Sequence, residues 1–141
     1  MAKKERGVIT QDAVQSDGSA NISLLTANTV YTKSFRIDDA DRVAISYMMV
    51  NAADSANATI VYEQGFNAPA TECAVDVGYV QPVGMSACAI SVTTRGSWNH
   101  TALFTAAAGM IVLPYGRFKI TGNLLNTESV VNIKIHKQLE G

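Results

Sequence analysis

One short stretch, Arg95–His100, contains several residue types that could do chemistry. This stretch places an indole, an amide and an imidazole next to one another in Trp98, Asn99 and His100. Loops carry binding groups more often than regular elements do, and a Trp ring among polar groups suits a sugar-binding surface because its face is apolar. Trp98, Asn99 and His100 are therefore candidates for a ligand platform. The preferred interpretation, however, is that Trp98 is anchored in the core while its neighbours are solvated.

Catalysis needs a nucleophile with a base, or an acid with a base, and the sequence contains only two histidines. His136 alternates with Asn132 and Lys134 along an extended segment, which predicts a solvated side chain rather than a general base. The glycine-rich phosphate-binding patterns and the G-x-S-x-G pattern of hydrolases do not occur. We therefore expect a protein that is not an enzyme and that has no cofactor.

Two further groups have residue types that bind metals. Asp38, Asp39 and Asp41 place three carboxylates on one turn, which would suit calcium, but the spacing is not that of an EF-hand, and a solvated acidic turn is the preferred interpretation. Cys73 and Cys88 lack the C-x-x-C spacing of a zinc site. We expect a reduced pair in the core, with a disulfide as the alternative, and no bound metal.

Length and composition indicate the kind of fold that positions these residues. The chain has 141 residues, of which 48% are hydrophobic and 16% charged, so it makes one folded domain. Val, Ile and Thr are abundant whereas Leu occurs seven times, which favours strands over helices. The formal charge of −1 gives no field to attract nucleic acid, and no apolar run approaches the roughly 20 residues of a membrane span.

The order of the segments predicts an all-β fold, a single antiparallel β-sandwich of jelly-roll or Ig-like topology. Residues 1–20 are polar and glycine-containing, which predicts a flexible N-terminal arm, and residues 21–141 form the sandwich. The basic start, Met1–Gly7, is followed by no apolar segment, so we expect no export signal. The predicted strands are Val30–Ile37, Arg42–Val50, Ala58–Glu63, Cys73–Val80, Ala87–Val92, Thr101–Ala108, Arg117–Thr121 and Ser129–Lys137.

Alternation assigns faces to several of these strands. Arg42–Val50 is apolar on both parities, which predicts a central strand or an outer face buried by a partner, and it is expected to form a hairpin with Ala58–Glu63. In the later strands one parity should point inward and the other outward. The inward set is Phe118, Ile120, Val131, Ile133 and Ile135, and the outward set is Arg117, Lys119, Thr121, Asn132, Lys134 and His136.

The C-terminal part of the chain resembles a known family. Leu113–Asn123, followed by Asn126 and Val130–Ile135, resembles the last two strands of small β-sandwich virion proteins of tailed bacteriophages. Val43–Glu63 is similar to the central hairpin of the same proteins. Together these segments cover about half the chain.

This resemblance implies a capsid decoration or cement protein, made in the host cytoplasm and located on the virion surface. The implied partner is the major capsid protein, and the protein would be a homo-oligomer, a trimer or another closed ring. The arm can order on binding, and its candidate capsid contacts are Lys3, Lys4, Arg6, Val8 and Ile9. The alternatives are a carbohydrate-binding or adhesin module that uses Trp98, Asn99 and His100, and a tail or neck structural protein.

Overall fold

The computed structural model describes residues 7–24, 29–37, 40–51, 57–82, 88–91, 96–105, 113–122 and 129–139. All of the regular secondary structure in these residues is β-strand, as the composition predicts. None of the described segments forms a helix that is long and apolar enough to cross a membrane. The strands are β1 (Val8–Asp12), β2 (Ile22–Ser23), β3 (Thr29–Tyr31), β4 (Phe35–Arg36), β5 (Ala40–Asn51), β6 (Asn57–Gly65), β7 (Cys88–Ser91), β8 (Asn99–Thr105), β9 (Tyr115–Gly122) and β10 (Val130–Leu139).

The strands form two antiparallel sheets, which confirms the predicted β-sandwich. Sheet I has the order β1, β10, β5, β8, and β2 also pairs with β10. Sheet II has the order β3, β9, β6, β7, and β4 also pairs with β9. Because β5 occupies the other edge of β10, β1 and β2 share one edge and act as one interrupted strand. The same holds for β3 and β4 on β9.

The pairing identifies the topology as a jelly roll. The strands form antiparallel pairs that are nested from the chain ends inward: β1 and β2 with β10, β3 and β4 with β9, β5 with β8, and β6 with β7. One long ribbon folded in this way over two sheets is a jelly roll. The predicted hairpin of β5 with β6 is wrong, because β5 lies in sheet I and β6 in sheet II.

The core lies between the sheets and follows the predicted alternation. Side chains of one parity on β5, β6, β9 and β10 point inward, and the predicted inward residues of the last two strands are all buried. Phe118 packs against Phe35 and Tyr62, with ring centroids 5.6 and 5.9 Å away. The largest buried apolar side chains are Ile22, Leu24, Ile37, Ile45, Met49, Ile60, Tyr62, Phe118, Ile120, Ile133 and Ile135.

The N-terminal segment is part of the sandwich from residue 8 onward, which corrects the predicted arm boundary at residue 20. β1 pairs with β10 through five residue pairs, from Val8 to Asp12. The ladder continues at Ala13, which is buried and donates its N–H to the Ile133 carbonyl at 2.9 Å. An open edge of β10 would leave backbone groups unpaired, and this polar segment satisfies them. Residues 1–6, with Lys3, Lys4 and Arg6, lie outside the described residues.

Two predicted strands differ in the structure. Val30–Ile37 is split into β3 and β4, and Thr32 bridges the gap because its hydroxyl accepts the Phe118 N–H at 2.9 Å. Cys73–Val80 is not a strand: it belongs to a loop in which Val80 alone makes a β-bridge, to Gln64. We call residues 66–80 the apolar loop.

Candidate functional site

The outer face of sheet I brings together polar residues from strands that are distant in sequence. The register places Asp12 opposite Lys134, Lys134 opposite Ser46, and Ser46 opposite His100. This row crosses β1, β10, β5 and β8. Neighbouring strands are about 4.8 Å apart, so the row is about 15 Å long.

Ser46 stands at the centre of a hydrogen-bonded chain. Its Oγ lies 2.6 Å from His100 Nδ1 and 2.6 Å from His136 Nε2, and His136 Nδ1 lies 2.9 Å from Thr10 Oγ1. A hydroxyl has one proton and two lone pairs, so Ser46 can accept from one imidazole and donate to the other. The chain fixes the position of both rings across four strands.

This arrangement corrects the prediction that His136 is solvated. Alternation placed His136 on the outer face correctly, but the residues it would meet there depend on pairing with β1 and β5. Ser46 is 2% exposed, so an incoming carbonyl group cannot approach its Oγ as it would approach a catalytic serine. The arrangement suits a positioning role, in which Ser46 holds the ring of the exposed His100.

Trp98 lies on the same outer face. It directly precedes β8, and its indole reaches across β5 so that the ring centroid lies 5.9 Å from Lys134 Nζ on β10. Lys134 Nζ also donates to Asp12 Oδ1 at 2.9 Å. Trp98 is 38% exposed, so it is partly accessible to solvent.

The structure unites two of the three predicted platform residues. Trp98 and His100 share a parity and a face, whereas Asn99 has the opposite parity and its amide donates to the Ser97 carbonyl at 3.4 Å. Sequence reasoning missed Lys134, Asp12 and Ser46 as their neighbours. Only the strand pairing brings these residues together.

On sheet II, a buried arginine holds the apolar loop in place. Arg117 is 1% exposed and was predicted to point into solvent. It does lie on the outer face of sheet II, but the apolar loop covers it. Its guanidinium lies between the rings of Tyr31 and Tyr79, 4.4 and 4.7 Å from their centroids. Its Nε donates to Glu63 Oε1 at 3.1 Å, and Nη1 donates to the Ala74 carbonyl at 2.6 Å.

Other hydrogen bonds within and around the apolar loop add to this anchor. Asp76 accepts from the N–H groups of Gly78 at 2.8 Å and Ala70 at 3.2 Å, and these backbone bonds lower the pKa of its carboxyl. Glu72 accepts from the N–H and the hydroxyl of Ser34. Tyr79 donates to the Asn67 carbonyl at 2.6 Å, and burial raises its pKa to about 12, so it keeps its proton.

The anchored loop presents large apolar side chains to solvent. Val77 is 96% exposed and Phe66 is 73% exposed, and Val75 and Val80 are also exposed. A cavity of about 270 Å³ opens beside Phe66, and Tyr79 and Asp76 are among the residues that line it. Composition and alternation did not indicate this surface, because Cys73–Val80 was interpreted as a strand and the residues before it as a break between strands.

Val8 and Ile9 lie in β1 at the edge of sheet I and are exposed. Asp38 and Asp39 lie outside the described residues. Within the described residues, no cluster of three His, Cys, Asp or Glu side chains could hold a metal ion.

Cys73 is free and half-buried in the apolar loop rather than in the core. Burial raises the pKa of its thiol, and the nearby Glu72 carboxylate adds to the effect. The predicted core location of Cys73 is wrong, and the reduced state of the Cys73 and Cys88 pair stays a prediction. The side chain of Cys88 lies outside the described residues.

The apolar residues on both faces of Arg42–Val50 predicted either a central strand or an outer face that a partner buries. The structure places β5 between β10 and β8, so it is a central strand. Its outward residues include the buried Ser46, which is in contact with His100 on β8 and His136 on β10. This face is therefore occupied in part by the protein's own polar groups.

The sequence matches no protein-family profile and no curated protein. Among solved structures, dimeric latent PorU from Porphyromonas gingivalis is similar over 96% of this chain and 13% of the PorU chain, with 9% sequence identity and a TM-score of 0.44. The chain thus spans far less than two thirds of that protein. A likeness of this size carries no argument about function.

Proposed function

We propose that this protein is a non-enzymatic structural protein of a virion, a capsid decoration protein that docks on the outer surface of a phage head. The observation that carries the proposal is the apolar loop, a fixed surface that displays Phe66, Val75, Val77 and Val80 to solvent. Clustered exposed apolar side chains mark interaction sites. The resemblance of the C-terminal strands and of Val43–Glu63 to phage virion proteins supports the same function.

The loop has the properties of a prepared interface. Burying an apolar surface is favourable at roughly 25 cal/mol per Å², but this gain is reduced when binding must first order a flexible segment. Here Arg117, Asp76 and Glu72 already hold the loop, so that cost is small. Phe66, beside its cavity, is the natural central anchor, since aromatic residues dominate the binding energy of most interfaces.

The proposal assigns separate roles to the two sheets. The apolar loop on sheet II contacts the major capsid protein. Copies of the protein associate in a closed ring, a trimer or a related symmetric oligomer, for which the exposed edge strand β1 with Val8 and Ile9 is available. The jelly roll is compatible with this function, because viral capsid domains use it, but a fold alone does not determine function.

Co-sedimentation with heads and with tails of the phage that encodes the protein tests this proposal, with light scattering to measure the oligomer. We expect binding to heads, and we expect Phe66→Ser and Val77→Ser together to weaken it at least about tenfold, since a buried anchor contributes 2 kcal/mol or more. Val50→Ser, the same change at an exposed valine outside the loop, is the matched control and should bind normally.

The outcomes separate the alternatives. Binding to tails but not to heads would identify a tail or neck protein and overturn the decoration role. Head binding that survives the loop substitutions would remove the apolar loop from the interface. A monomer that binds neither particle would overturn the structural function as a whole.

A further inference from the structure

We propose that the outer face of sheet I is a binding site for a neutral pyranose sugar, with Trp98 as the stacking platform and Lys134, Asp12 and His100 as its polar partners. This function goes beyond capsid decoration, and its residues lie on the sheet opposite the apolar loop. It would allow the same protein to attach to a glycan-coated surface.

The residue types match the chemistry of a sugar. One face of a pyranose ring is made of C–H groups that pack on an indole, while its hydroxyls need both donors and acceptors at the rim. Lys134 supplies donors, Asp12 supplies acceptors, and His100 adds a ring nitrogen. Trp98 is 38% exposed, which leaves apolar ring surface for such stacking.

The charges favour a neutral sugar over an acidic one. Lys134 Nζ and Asp12 Oδ1 are 2.9 Å apart, so the positive charge that would attract a carboxylate is already paired. The Lys134 ammonium lies 5.9 Å from the indole centroid, near the outer limit of a cation–π contact. This contact over the ring is long and weak, so a stacking sugar ring can displace the ammonium to the rim of the platform.

The site is held in place before any ligand binds. Ser46 fixes His100 through Nδ1 at 2.6 Å, and the buried hydroxyl is itself held by His136. His100 is exposed, and with Nδ1 engaged, Nε2 is the nitrogen left for a sugar hydroxyl. Side chains that are fixed in advance lose little entropy on binding.

Trp98 is the single Trp in the sequence, so the fluorescence of the full-length protein reports directly on the proposed platform. The first step is an array of neutral and acidic oligosaccharides, followed by titration with the methyl glycoside of the best neutral sugar. We expect saturable binding that changes Trp98 emission and persists in about 1 M salt, where charge attraction is screened.

Variants identify the residues that carry the binding. Trp98→Ala should weaken sugar binding at least about tenfold, and Trp98→Phe should restore part of it. Lys134→Met should weaken binding through the lost donors, and Phe66→Ser, on the other sheet, should leave it unchanged while reducing head binding. Calorimetry measures affinity for the variants without Trp, and circular dichroism verifies that each is folded.

Three results would overturn the proposal: no neutral sugar bound by the native protein, binding of acidic sugars alone with loss in high salt, or neutral-sugar binding that Trp98→Ala leaves intact. Because head binding is measured separately, failure of the sugar site would not affect the proposed capsid function. Loss of head binding would likewise leave the sugar site standing.

Discussion

Replacing Arg117 by Met should destabilise the protein far more than removing any surface charge. The guanidinium is 1% exposed and pairs with Glu63, whose side chain is 14% exposed. Met preserves much of the apolar stem but leaves the Glu63 carboxylate and the Ala74 carbonyl without their donor, and it removes contacts with two Tyr rings. Breaking a buried ion pair from one side costs about 3–5 kcal/mol, out of a total stability of about 5–15 kcal/mol.

The double variant distinguishes a lost pair from lost packing. Arg117→Met combined with Glu63→Met removes both charges, and buried pairs replaced by apolar residues are often neutral in stability. We therefore expect the double variant to recover at least about 2 kcal/mol relative to Arg117→Met alone. The matched control is Lys134→Met, which breaks an ion pair of 2.9 Å between half-exposed side chains and should cost less than about 1 kcal/mol.

Urea unfolding followed by circular dichroism measures these free energies, with an unchanged m-value as the condition for comparing them. Arg117→Met should also weaken head binding, because the apolar loop loses its anchor while its exposed side chains stay the same. The reasoning is refuted if Arg117→Met costs less than about 1 kcal/mol, or if the double variant is as unstable as the single one.

Gly116, Asp76 and Ser46 each make contacts whose effect on stability can be measured. Gly116→Ala should cost about 1–3 kcal/mol by overpacking, measured by urea unfolding, because the new Cβ would lie 2.5 Å from the Tyr62 ring. The pKa of the Asp76 carboxyl is lowered from its ordinary value of 3.8, so the carboxylate stabilises the apolar loop fully at pH values above 3.8. This contribution is lost as the pH falls through the lower pKa of the folded protein. Hydrogen exchange of the loop amides should therefore increase in that pH range, and Asp76→Asn should remove this pH dependence. Ser46→Ala should lower the free energy of unfolding by about 1–3 kcal/mol and leave the rings of His100 and His136 without their shared hydrogen-bond partner. NMR of the ring nitrogens should show this change, and unaltered signals would contradict the hydrogen-bonded chain.

The faces of the strands could be predicted from sequence, because alternation is a property of a few consecutive residues. Val131, Ile133 and Ile135 are buried as predicted, as are Phe118 and Ile120. Arg117 was also assigned to the correct face. Its burial was not predictable, because the cover comes from the apolar loop, about 40 residues earlier in the chain.

The candidate site on sheet I was predictable only in part. Trp98 and His100 were recognised by residue type, and both lie on the outer face. Asn99 was included because it is adjacent in sequence, although adjacent residues in a strand point to opposite faces. The N-terminal segment was interpreted as an arm because it is polar, yet a polar segment can still complete a sheet edge through its backbone.

Local sequence features were enough to predict the all-β class, the inward and outward faces of most strands, and the residue types available for binding. These depend on composition and on the two-residue period of a strand, both of which are local. Tertiary structure alone decided which strands are neighbours, since hydrogen bonds between strands join residues far apart in the chain. The pairing of Thr10 with His136, and the contact of Ser46 with both His100 and His136, exist because the jelly roll places β1, β10, β5 and β8 side by side.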